Sequence, residues 1–199
     1  TTRSYKYRIS DDGKVYQMKL LDNTIKSIYG NIFDNTSDMI VISIGGNDLY
    51  DNMSKIIFGV TTFFNGVVNE QFINDYDNII IQAKNNNRKV LLTSIYLPYI
   101  GSFSTYGLFS GLANNIVEKW NSFLFQLGKK HNIPILDLSQ TLDCNNRKHY
   151  GTSDHHSSNI ATKCISHCIN YIYHNYNGFG IYFAPKCDFT KIQVSNISH

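Results

Sequence analysis

The sequence holds one tryptophan, three prolines and four cysteines in 199 residues, and no apolar run approaches the roughly 20 residues that span a bilayer. The last absence argues against a membrane-spanning helix. Cys144, Cys164, Cys168 and Cys187 form no CxxC pair, and no second ligand pair stands at finger-like spacing, so no metal is assigned. A domain of this length does not require disulfide staples. Charge is also sparse. The 18 basic and 15 acidic residues leave a net charge of +3, and their scatter offers neither a nucleic-acid stripe nor a polybasic membrane patch. Partners are then small molecules or protein surfaces. The opening stretch TTRSYKYRIS lacks both the apolar core of a signal peptide and an initiating methionine. Asn35, Asn52 and Asn196 begin Asn-X-Ser triplets, which a chain so rich in asparagine contains by chance.

What is present suggests one domain with an ordinary apolar share of 42%. Tyr5, Tyr7 and Ile9 alternate as a short strand before Asp11-Asp12-Gly13 breaks the pattern. Val15, Met18, Leu21, Ile25 and Ile28 then follow at helical spacing. Residues 39–44 are a continuous apolar strand, of the kind buried on both faces of a parallel sheet. Phe72, Tyr76, Ile79, Ile80 and Ala83 mark a helix, residues 89–95 a strand, and residues 112–127 a long helix ending in Gly128-Lys129-Lys130. Residues 133–138 are another strand and residues 157–173 another helix. On the latter, Ile160, Cys164, Cys168 and Tyr171 or Ile172 form one apolar stripe, so the cysteines read as core. Strand and helix alternate throughout, which predicts a parallel sheet covered by helices on both faces.

Ligands of such open sheets bind beyond the carboxyl ends of the strands. Asn47 stands there, after the strand 39–44 and the two glycines Gly45 and Gly46, which permit a tight turn. Taken alone, Gly45-Gly46-Asn47-Asp48 reads equally as a turn that caps a helix.

The motif has company. Asp12-Gly13 before a helix, Ser43 through Asp48 after a strand, Ile135-Leu136-Asp137-Leu138, and a histidine followed by two serines before the last helix together resemble the SGNH hydrolases, or GDSL esterases. The match runs from about Ile9 to about Tyr173. The resemblance implies a flavodoxin-like three-layer α/β sandwich with a central parallel sheet. It delimits residues 1–175 as an SGNH hydrolase-like domain and residues 176–199 as a C-terminal extension. It also implies ester hydrolysis through an acyl-serine, with a small acyl or acetyl ester of a glycan or lipid as substrate and no cofactor. Asn47 and Gly13 would be the oxyanion donors, and His156 the base, with His155 as the alternative. Placing the base at His156 sets the small Ala161 where the family has glycine, whereas His155 would set Ile160 there.

Two departures accompany the resemblance. The family's aspartate three residues before the histidine falls at Ser153 or Thr152, so Asp154 would have to serve from a shifted loop. No Gly-Asp-Ser occurs, so the chain supplies no identified nucleophile, and the family's first strand is expected to be missing. That strand would lie between residues 5–9 and 39–44, and its absence would leave a gap for another segment to fill. Residues 181–184 and 192–194 are candidate strands in the tail, and Ser195 after them is a candidate permuted nucleophile. The alternative function is a non-catalytic SGNH-like domain that keeps the crevice as a binding surface.

Overall fold

The computed structural model describes residues 4–8, 15–19, 38–46, 49, 55–56, 59, 68, 70–84, 87–100, 110–152 and 157–195. The chain divides into two compact units, Thr1–Ile40 with Asp48–Arg88, and Val41–Asn47 with Lys89–His199.

In the first unit, β1 (Ser4–Arg8) and β2 (Val15–Lys19) form a two-stranded antiparallel sheet, with Ser4 opposite Lys19 and Arg8 opposite Val15. The spacing of Val15, Met18, Leu21, Ile25 and Ile28 predicts a helix; the structure has a strand over Val15–Lys19 instead, and the last three lie outside the described residues. The physical reason lies in the sequence. Asp11-Asp12-Gly13 is a turn signal between two short segments rich in tyrosine, which suits a hairpin. β1 takes β2 as its partner and belongs to a different sheet from β3. Helix α1 (Glu70–Lys84) buries Phe72, Tyr76, Ile79, Ile80 and Ala83, the stripe its spacing predicts. Phe72 and Tyr76 pack ring to ring within it, with centroids 5.9 Å apart.

The second unit is framed by a five-stranded, mostly parallel sheet in the order β3-β4-β5-β6-β7. Its strands are β3 (Met39–Ile42), β4 (Lys89–Thr93), β5 (Ile135–Leu136), β6 (Ile181–Phe183) and β7 (Gln193–Ser195). β4, β5 and β6 run parallel, and β7 returns antiparallel to β6. The fold is therefore α/β, compatible with a three-layer sandwich. Val90, Leu91 and Leu92 are all fully buried, as a strand covered on both faces requires. β3 departs from expectation. It stands at one end of the sheet order, and Val41 is 40% exposed, so it is not buried on both faces. Segment 176–199 supplies β6 and β7, at the positions of the two candidate strands in the tail.

Helix α2 (Ser110–His131) buries Ala113, Ile116, Val117, Trp120, Leu124 and Leu127. Gly128 does not end it. A Cβ at Gly128 would stand 2.6 Å from Ile135 Cδ1, so glycine there lets the helix approach β5 closely. The stop comes four residues later. Asn132 adopts a left-handed φ of 53°, with Ile133 N–H donating to Gly128 O at 2.9 Å and Asn132 N–H to Lys129 O at 3.2 Å. This is the paired C-terminal closure of a Schellman motif, with asparagine in place of glycine.

After β5, Asp137 caps the short helix α3 (Leu138–Thr141). Helix α4 (Asn159–His174) is capped by Ser158, whose Oγ accepts from Ala161 N–H at 3.2 Å. Its buried stripe is Ala161, Cys164, Cys168 and Ile172, whereas Ile160 is 55% exposed, so the stripe enters through the alanine. Among the described residues, no helix is long and apolar enough to cross a membrane.

Candidate active site at the carboxyl end of the sheet

Three junctions organise the residues that follow β3, β4 and β5. The first joins β4 to β5. Ser94 Oγ donates to Asp137 Oδ1 at 2.8 Å and accepts from Leu138 N–H at 2.7 Å and Ser139 N–H at 3.4 Å. Asp137 also accepts from Ser139 N–H at 2.9 Å, from Ser139 Oγ at 2.6 Å and from Gln140 Nε2 at 2.8 Å. Both residues are buried, at 2% exposure each. Every lone pair of Ser94 Oγ is engaged and its proton faces a carboxylate, so Ser94 is a structural hydroxyl and not a nucleophile.

The second junction is made by α2. Asn121 Oδ1 accepts from Ile95 N–H and its Nδ2 donates to Ile95 O, both at 2.9 Å, so one buried amide satisfies both backbone groups of a residue that has left the strand. Next to it on α2, fully buried Trp120 packs against Gly45. A Cβ at Gly45 would fall 2.0 Å from Trp120 Cζ2, and the Gly45 φ is +96°. Two independent constraints thus demand glycine at the first position of the Gly-Gly-Asn-Asp motif. Adjacent residues of one helix therefore hold the chain leaving β3 and the chain leaving β4.

The third junction seats the loop before α4. Tyr150 and Ser157 form an isolated antiparallel bridge that closes the loop 151–156 at its base. Tyr150 Oη donates to Leu97 O at 2.8 Å, and the Tyr96 phenol bonds the Ser157 backbone. Burial pushes the Tyr96 phenol above its ordinary range, and that backbone bond partly offsets the shift. Tyr99 packs on Tyr150 with ring centroids 5.7 Å apart, and the Arg147 guanidinium lies 5.1 Å over the Tyr99 ring.

His149 closes the base of the same loop. It is 3% exposed; its Nδ1 accepts from Asp143 N–H at 2.9 Å, and its carbonyl accepts from Ser158 N–H at 2.9 Å. Burial lowers its pKa below the ordinary histidine value, against a smaller opposing pull from Asp143. With Nδ1 occupied as an acceptor, His149 is a neutral structural histidine, not a base facing a substrate.

Gly13, Asn47, Asp154, His155 and His156 lie outside the described residues. Their described chain neighbours are Gly46 and Ser157, both at the junctions above. Ser195 is placed, and its position overturns the permuted-nucleophile expectation. It pairs with Ile181 on β7, at the end of the sheet order opposite β3. Four strand spacings, roughly 19 Å, separate the two. Ser195 also shares a sheet row with Ile135, the first residue of β5, away from the carboxyl ends.

Sequence reasoning did not single out Ser94, Asn121, His149 or Tyr150. Asn121 carried a signal, since it interrupts the apolar face of α2 between Val117 and Leu124, where an amide must find buried partners. The pairing of Ser94 with Asp137 carried none, the two being 43 residues apart. Among the described residues, no group of three or more histidine, cysteine or acidic side chains is placed to hold a metal ion. Comparison of the chain with protein-family models, curated proteins and solved structures finds no match.

Proposed function

We propose that this chain is a domain of the SGNH type and that the intact protein hydrolyses a small acyl or acetyl ester through an acyl-serine. One observation carries the reading. The turn after β3 that leads to Asn47 and the loop that contains His155 and His156 are both anchored on residues 95–97, through α2 for the first and through Tyr150 and Ser157 for the second. In that arrangement the Asn47 amide donates to the developing oxyanion, together with the Gly13 N–H that the resemblance adds. A neutral donor fixed in advance needs no reorganisation as charge develops, and one such donor is typically worth about 3 kcal/mol of barrier. His156 takes the proton of a serine carried by a Gly-Asp-Ser segment that this sequence does not include. The choice of His156 over His155 is supported by α4: Ala161 is fully buried in its first turn, whereas neighbouring Ile160 is turned outward.

The second reading, a binding module without turnover, is favoured by Ser153, which stands where the family has the carboxylate that orients the histidine. Turnover of p-nitrophenyl acetate and of an acetylated glycan by the intact natural product separates the two. Hydrolysis that falls roughly a hundredfold or more in Asn47→Ala and further in His156→Ala supports the esterase. No hydrolysis of either ester favours the binder, and hydrolysis indifferent to both substitutions removes the site.

A further inference from the structure

Three of the four cysteines meet where the C-terminal segment passes α4. Cys164 and Cys168 lie one helical turn apart on its buried face, at 2% and 0% exposure. The turns Pro185–Cys187 and Phe189–Lys191 both contact that helix. Phe189 fixes the alignment. Its ring stacks on the His167 imidazole with centroids 4.4 Å apart and planes 14° from parallel, and His167 lies between the two helix cysteines in sequence. Residue 187 belongs to the turn Pro185–Cys187, which contacts the same helix. The Cys187 and Cys168 thiols both lie near the Cys164 thiol. Lys186 and Cys187 both adopt left-handed backbone, with φ of 54° and 60°, a conformation that residues with a side chain enter only when their surroundings hold them there. Cys187 is the half-buried member of the three.

We propose that Cys187 and Cys164 are a reversible thiol–disulfide pair, oxidised by a small-molecule disulfide of the glutathione class. Cys187, the accessible sulfur, loses its proton to water and attacks the small disulfide, and one glutathione thiolate leaves. The Cys164 sulfur, deprotonated in turn, attacks the Cys187 sulfur of the mixed disulfide, and the second glutathione leaves. Two protein thiols give up two electrons and two protons in all, and one glutathione disulfide becomes two thiols. Burial pushes the Cys187 thiol up and the Cys168 thiol up to about 12, so thiolate is scarce at neutral pH and exchange is slow. The bond would tie the segment joining β6 to β7 onto α4, closing a loop whose ends are 23 positions apart (187 minus 164).

The test equilibrates the full chain in glutathione buffers of rising potential, quenches with acid and measures intact mass. The expected result is the loss of two hydrogens, reversed by dithiothreitol, at a rate that rises roughly tenfold per pH unit between neutrality and mild alkali. Trypsin should then yield residues 164–186 linked to residues 187–191, with fragmentation placing the bond at Cys164. Cys187→Ser should abolish the internal loss. Should that variant fail to fold, the linkage map of the unaltered chain decides alone. Thiols that stay reduced in fully oxidising buffer, or a bond that joins Cys164 to Cys168 or engages Cys144, would overturn the proposal.

Discussion

Ser94 Oγ stands 2.8 Å from Asp137 Oδ1, so the carboxyl ends of β4 and β5 are joined by a buried hydrogen bond between side chains. The carboxylate also caps α3, which makes it the hub of one polar cluster. Asp137→Ala leaves several of these donors without a buried partner, and we expect a loss of about 2–4 kcal/mol in urea unfolding. Ser94→Ala removes one bond of the same cluster and should cost about 1 kcal/mol. Equal costs for the two would contradict the assignment of Asp137 as the hub.

Gly45→Ala combines a left-handed φ with a collision against the indole, and should destabilise by about 2–4 kcal/mol. The colliding Cζ2 and Cη2 atoms belong to the six-membered ring that Trp120→Phe removes. The double variant should therefore recover the steric part and keep about 1 kcal/mol from the backbone. Trp120 is the sole tryptophan, so its fluorescence reports directly on the packing of this turn.

Asn121→Asp tests the clamp on Ile95. The carboxylate still accepts from Ile95 N–H but cannot donate to Ile95 O, and an unpaired buried charge is introduced, so this variant should be no more stable than Asn121→Ala. Each should lose about 2–3 kcal/mol, as followed by chemical denaturation.

His149 gives the fold a dependence on pH with a definite sign. Its folded-state pKa lies below the unfolded value, so between the two the unfolded chain binds the extra proton. Its contribution is complete above the ordinary histidine pKa of about 6.5 and is lost as pH falls through the depressed value. The urea midpoint of the unaltered chain should fall from pH 7.5 toward acid pH by more than that of His149→Gln. An identical fall in both would sink the assignment.

Long periodic segments were legible in the sequence because one element determined their pattern. The stripe of α1, the apolar run of β4 and the strands β6 and β7 all stand where spacing puts them. Failures occurred where a neighbour distant in sequence decided. Val15 and Met18 fit helical spacing, but the pairing of β2 with β1 made them a strand. Gly128 looked like a helix end, and Ile135 shows instead why it is glycine. The site divides the same way. Gly45 was readable as a turn, yet the indole that forbids any other residue comes from a helix 75 positions further on (120 minus 45). Polar clamps such as Ser94 with Asp137 leave no local trace, since either residue alone is an ordinary strand-end residue.

The Schellman closure at Asn132 reaches beyond its own helix. Asn132 Oδ1 accepts from Phe179 N–H at 2.9 Å, next to Gly178, and β5 then donates from Ile135 to Gly180 O and from Asp137 to Tyr182 O. One side of β5 is therefore satisfied entirely by segments that emerge from the ribosome more than forty residues after it (180 minus 135). Until they arrive, the nascent chain carries an open row of amides and carbonyls beside a fully apolar strand, a ready template for intermolecular pairing. A chain cut between α4 and β6 would remain permanently in that state, so the order in which the strands are made sets how long that edge stays open.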